Sequence, residues 1–97
     1  MTDHDARDYP ANIHNRGPAR GSAYADGVLT LVCGVAYPAD RLLDLTLQLP
    51  DRLLTLSGKT IGSQRRDDNR FDVRLHLSSL RREQRSALEQ AFLDTRA

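Results

Sequence analysis

Tryptophan is absent from this 97-residue sequence, cysteine and methionine occur once each, and aromatic residues make up only 5%. With Cys33 as the lone thiol no internal disulfide can form, which points to a reducing, cytoplasmic setting. With so few rings the core has to be aliphatic, and 15 leucines supply it. No stretch approaches the ~18 consecutive apolar residues that a membrane helix needs. The first ten residues carry Asp3, Asp5, Arg7 and Asp8 where a signal or transit peptide would have an apolar or acid-free run, so neither is expected. A dominant sign of charge is also missing. The balance of 14 basic and 13 acidic residues, net +1, argues against an acidic tail and against a globally basic nucleic-acid binder.

The catalytic inventory is equally thin. Glu83 and Glu89 are the only glutamates, and no paired carboxylates fall on a shared apolar face. His4 and His14 lie in a stretch without periodicity, His76 falls on the polar side of its strand, and Cys33 sits among Leu31, Val32 and Val35 as an inert thiol. No Cys/His spacing fits zinc, and no glycine-rich loop joins a strand to a helix. The expectation is one small non-enzymatic domain without metal or cofactor.

What is present is a patterned segment from Gly27 onward. Val28–Val35 is apolar on both sides, as in a strand covered on both faces. Leu43, Leu45, Leu47 and Leu49 alternate with polar residues, Pro50-Asp51 turns the chain, and Leu54 and Leu56 continue inward. Ile61 has the opposite parity, which predicts a bulge at Ser57-Gly58. Arg65 to Asn69 reads as a hairpin tip, and Phe71, Val73, Leu75 and Leu77 alternate after it. Ser79 is the expected N-cap of a helix whose stripe is Leu80, Ala87, Leu88, Ala91 and Phe92. The pattern predicts a four-stranded antiparallel meander followed by a C-terminal amphipathic helix. Residues 1–26, with Pro10, Gly17, Pro18 and Gly21, read as an irregular arm, and residues 27–97 as the single domain. A sheet this small must curl into a barrel, take the helix or pair with another chain, so self-association is expected.

The arm holds the best candidate for ligand chemistry. Arg16-Gly17-Pro18-Ala19-Arg20-Gly21 places two guanidinium groups four residues apart on a non-helical stretch. Such a pair can fork onto phosphate oxygens, meet the O6/N7 edge of guanine or stack on a purine. Thirteen of the fourteen basic residues are arginine, a bias that genome base composition explains as readily as function does. Pairs at Arg66/Arg70, Arg70/Arg74 and Arg81/Arg85 are read as solvated faces.

The order of segments from Gly27 to Phe92 resembles the PilZ domain family of bacterial cyclic di-GMP receptors. Asp40 to Pro50 is similar to the family's strand ending in Leu-Pro, and Leu54 to Gly62 to the strand that follows it. Arg70 to Leu77 resembles the strand before the helix, and Ser78 to Leu93 the closing helix. The resemblance implies a six-stranded antiparallel barrel, mainly β, with a C-terminal helix and a shortened N-terminal half that lacks strands. It also implies two ligand motifs. Arg-x-x-x-Arg fits Arg16 and Arg20, with Arg7 as another arm position that has Ala11 where a second Arg would stand. Asp/Asn-x-Ser-x-x-Gly falls on Ser22 to Gly27 and matches only at Gly27, whereas a rival placement at Asn12 to Gly17 has His14 for the serine.

On that resemblance the chain is expected to bind cyclic di-GMP and pass the signal to a protein partner. Arg16 and Arg20 would clamp phosphate and guanine, Ser22 or Asp26 would meet the guanine edge, and Gly27 would let the base approach. Ordering of the arm over the ligand would be the switch. The alternative is an adaptor of the same fold that binds protein and no nucleotide. A barrel that binds single-stranded nucleic acid is disfavoured by the near-neutral charge and by Tyr9, Tyr24 and Tyr37 lying outside the expected strands.

Overall fold

The computed structural model of the chain describes residues 8–93. They form six strands and one helix: β1 (Tyr9–Ile13), β2 (Gly17–Ala25), β3 (Val28–Cys33), β4 (Leu42–Leu49), β5 (Arg52–Arg65), β6 (Phe71–Ser78) and α1 (Arg82–Ala91). The strands close into a barrel in the order β1-β2-β3-β6-β5-β4, every neighbouring pair antiparallel. Two three-stranded meanders, β1-β2-β3 and β4-β5-β6, are joined along β3–β6 and β1–β4.

The structure corrects four expectations. Residues 9–25 are two strands of the barrel, not an irregular arm, so no strand is missing. Their inward positions are filled mostly by small residues, Ala11, Ala19 and Gly21 beside Ile13, which hides the alternation in the sequence. Pro10 precedes the β1–β4 ladder and Pro18 precedes the β2–β3 ladder. Each therefore has a strand on one side only, where a missing amide donor is tolerated. Second, β3 pairs with β6 instead of β4, so the predicted four-strand meander is broken after its first strand. Third, Gly58 keeps regular register with both Leu43 and Leu77, and the bulge falls between Thr60 and Gly62. Leu54, Leu56, Gly58 and Thr60 all point inward, so alternation alone turns Ile61 outward, and the bulge sets Gly62 opposite Arg74. Fourth, the N-cap is Arg81, not Ser79, which takes a left-handed φ of 54° in the connection. The Arg81 amide donates to Gln84 Oε1 at 3.0 Å, half of a capping box.

Leucine fills the barrel: Leu29, Leu31, Leu45, Leu47 and Leu75 are buried with Val73 and Ile13 between them. The helix closes one end. Leu88 and Phe92 are fully buried there, the Phe92 ring stands edge-on to Tyr9 at 5.2 Å, and the Tyr9 hydroxyl donates to the Ala91 carbonyl at 2.8 Å. The β3–β4 loop closes the other end with Tyr37, which is 7% exposed. Thr60 and Ser63 of β5 pin that loop: Thr60 Oγ1 donates to Pro38 O at 2.6 Å, and Ser63 Oγ donates to Tyr37 O at 2.7 Å. The apolar sheet face on which the expectation of self-association rested is therefore inside the barrel. No helix among the described residues is long and apolar enough to cross a membrane.

Candidate ligand-binding face

The strand pairing separates the residues singled out in the sequence. Arg16 lies in the β1–β2 turn at the Tyr37 end, its guanidinium 5.7 Å from the centroid of the Tyr37 ring. Arg20 lies four residues on, about 13 Å along an extended chain, and projects from the outer face of β2. There its Nε is 3.8 Å from Asp8 Oδ2 and its NH2 donates to the Asp8 carbonyl at 3.3 Å. The two arginines thus lie toward different ends of the strand, each with its own neighbour. Ser22 occupies the bulge of β2, between Gly21 and Ala23, and its Oγ donates to Thr30 O at 3.4 Å.

Asp26 and Gly27 form the two-residue turn between the paired Ala25 and Val28. Their φ angles of 52° and 82° are those of a tight type I′ hairpin, which favours Asp-Gly on backbone grounds alone. The Gly27 carbonyl accepts from the Leu77 amide at 2.9 Å, locking the hairpin to β6. Arg7 lies outside the described residues.

Register places Arg20 and Ser22 on a shared outer face with residues that the sequence did not nominate. Arg20 stands opposite Val32, Val32 opposite Asp72, and Asp72 opposite Gln64. In the next row Ala23 stands opposite Thr30, Thr30 opposite Arg74, and Arg74 opposite Gly62. A shallow cleft of about 380 Å³ lies over this face, lined by Thr30, Gly62, Ser63, Gln64, Asp72 and Arg74. Val32 points outward but is only 5% exposed and stands apart from the barrel core, an apolar spot between Arg20 and Asp72. The bulge at Ile61 sets Gly62 opposite Arg74, a position of the cleft that carries no side chain.

Charge on this face is partly committed. Arg66 reaches back from the hairpin tip to Asp72, NH1 to Oδ1 at 2.9 Å, and that hydrogen bond pushes its guanidinium further up. Asp68 also contacts Arg66. Slight desolvation opposes its ionisation, but the Arg70 amide and the Arg66 guanidinium outweigh it and hold the carboxyl below its usual range. Arg74 makes no ion pair among the described residues. Asp72, Arg74 and Gln64 could be read from sequence as outward positions. What sequence lacked was that β6 runs between β3 and β5, which sets them on the same outer face as Arg20.

Burial, with Asp72 adding to it, pushes the Cys33 thiol up to about 11, so it stays protonated and unreactive. Burial and the neighbouring Cys33 raise the Tyr37 hydroxyl against the pull of Arg16. Among the described residues no group of His, Cys, Asp and Glu side chains could hold a metal ion. Comparison of the chain with protein-family models, with curated proteins and with solved structures finds no match, so the reading of this face rests on its own geometry.

Proposed function

We propose that the chain is a non-enzymatic receptor of the PilZ type that binds cyclic di-GMP on the outer face of β2, β3, β6 and the second half of β5, and relays its level to a protein partner. The observation that carries this reading is the cleft that Arg74, Asp72 and Gln64 line over Gly62, with Arg20 two strands away on the same outer face. Guanidinium groups fork onto phosphate oxygens and onto the O6/N7 edge of guanine. A carboxylate accepts from guanine N1 and N2, an amide can do either, and a bare glycine backbone leaves room for a purine ring. Ser22 borders the face, and Arg7, next in sequence to the Asp8 that holds Arg20, remains a candidate contact. Arg16, Asp26 and Gly27 are reassigned: the first caps Tyr37 and the other two make a turn. Because residues 9–25 are already strands, their ordering is not available as the switch. A switch on this face would be release of Arg20 from Asp8, or of Asp72 from Arg66, when phosphate competes for the guanidinium.

Calorimetric titration of cyclic di-GMP into the full chain tests this. Arg20→Ala and Arg74→Ala are expected to lose binding while Arg16→Ala keeps it. Loss in Arg16→Ala with full binding in Arg74→Ala would return the site to the β1–β2 turn. The second reading, an adaptor that binds no nucleotide, is favoured by one observation: Arg20 already has a partner in Asp8, and Arg16 has one in Tyr37. Absence of heat and of any shift in melting temperature would select it.

A further inference from the structure

The first half of β5 has a strand on one side only. β5 pairs with β4 from Arg52 to Lys59, but β6 joins it only from Ser57 onward. Along Arg52 to Leu56, about 17 Å of extended chain, no strand among the described residues lies on the β6 side. The Thr55 carbonyl faces that side, because it accepts from Gln84 Nε2 of α1 at 3.1 Å. In an antiparallel ladder the N–H and C=O of one residue face the same neighbour, so the Thr55 amide and both groups of Leu53 face outward with it. A single glutamine side chain stands where a strand would be. Beside this edge runs a trough of about 630 Å³ between β5 and the first turn of α1, bordered by Leu53, Thr55, Ser79, Arg81 and Gln84. Leu53 is 58% exposed.

Arginine outnumbers acid at the trough and on the helix beside it: Arg81, Glu83 and Arg52 line it, the last paired with Asp51 at 3.6 Å, and Arg82 and Arg85 follow on α1. Arg81, Arg82 and Arg85 make no ion pair among the described residues. Guanidinium groups at a helix N-terminus oppose the macrodipole, so the charges of Arg81 and Arg82 do not stabilise the helix that the Arg81 backbone caps. Glu83 is the only acidic residue in that turn.

We propose that the Arg52–Leu56 edge of β5 takes up an extended, acidic segment of a partner protein as an additional strand, with its carboxylates set against Arg81 and Arg82. The incoming backbone replaces the Gln84–Thr55 bond with ladder bonds, the mode by which an exposed edge binds peptide, and charge complementarity selects the acidic sequence. This goes beyond the nucleotide reading and stands without it, since the nucleotide face uses β2, β3, β6 and the other half of β5.

The test is a titration of the full chain, followed by amide NMR, with a short blocked peptide of alternating glutamate and valine. Shifts and slowed exchange at the Leu53 and Thr55 amides are expected. The double change Arg81→Glu, Arg82→Glu is expected to weaken binding about tenfold, and Thr55→Pro to abolish it by removing the outward donor while leaving the β4 side paired. Should Thr55→Pro fail to fold, the double change at exposed side chains still decides. No edge shifts at millimolar peptide, or equal binding of a peptide with lysine for glutamate, would overturn the proposal. So would edge amides that shift with protein concentration alone, which would give the edge to a second copy. Failure to bind cyclic di-GMP leaves all these readouts untouched, so the two readings fail separately.

Discussion

Replacing Gly58 with alanine should cost this barrel more than one added methyl group suggests. Gly58 is buried in the wall, in register with Leu43 on one side and Leu77 on the other. A β-carbon there would stand 2.7 Å from the His76 carbonyl oxygen and 2.8 Å from Leu75 Cγ. The first neighbour is backbone of β6, so relief requires β5 and β6 to part rather than a side chain to rotate. Overpacking of a well-filled core costs about 1–3 kcal/mol, whereas lost freedom of the unfolded chain returns about 0.4–1 kcal/mol. The net is a destabilisation of about 1–2 kcal/mol, or a fall in Tm of about 5–15 °C for a domain of this size. Gly34 is the internal control: its added β-carbon meets nothing within 4 Å and its φ is not left-handed, so Gly34→Ala should be neutral or slightly stabilising. Thermal unfolding followed by circular dichroism reads both. A Gly58→Ala chain that melts within 2 °C of the parent would refute the close approach of β5 to β6.

Gly27→Ala should lower stability by about 1 kcal/mol, because the type I′ turn holds φ at +82°. It should leave any nucleotide affinity unchanged, and a selective loss of affinity would restore Gly27 to the ligand site. Phe92→Ala, which empties the plug at the helix end, should cost about 3–5 kcal/mol in denaturant unfolding. Tyr9→Phe, which removes only the bond to Ala91 O, should cost about 1 kcal/mol. Cys33 gives a pH signature: burial raises its thiol from the ordinary value of about 9.0 to about 11 in the folded chain. The unfolded chain then loses its proton first, so stability is full below pH 9 and declines as the pH rises toward 11, by about 2–3 kcal/mol. Cys33→Ala should flatten that limb relative to the parent, and parallel curves would show the thiol to be freely ionising.

Much of the barrel was legible because leucine was placed with strict alternation. Leu43 to Leu49 and Phe71 to Leu77 read as strands for that reason, and the Pro50-Asp51 turn lies at a hairpin. The N-terminal strands were illegible because what they turn inward is alanine and glycine. Small inward residues are demanded where β2 passes close to its neighbours: a β-carbon on Gly21 would come within 2.8 Å of Leu47 Cδ1 and 3.6 Å of Phe92. The tight fit that requires a glycine thus erases the hydrophobic signal that would announce a strand. The Arg16/Arg20 pair had the converse problem. Its spacing suggested one clamp, but in an extended strand that spacing carries the two groups apart, and Arg16 ends in a turn. Asp72 and Arg74 were visible only as polar positions, since alternation tells which way a residue points and not which strands lie beside it.

The joint between β1 and β4 has a consequence for how the ring assembles. Only Ala11–Ile13 and Leu45–Leu47 are in register there, whereas β3 and β6 match from Val28–Cys33 along Phe71–His76. The β4–β5 and β5–β6 hairpins need only local loop closure, but β3–β6 and β1–β4 must bring together residues tens of positions apart. Non-local closure of this kind slows folding toward the millisecond-to-second range. The circle is thus two nearly self-sufficient arcs clasped by one long seam and one short one. Thermal agitation should part the short seam first, hinging the β1–β2 arc away on β3 and exposing Leu45 and Leu47 while the other arc still holds. Proteolysis and amide exchange would then begin at Ala11–Ile13 rather than at the charged hairpin tip, giving a barrel that opens like a clasp and not by fraying.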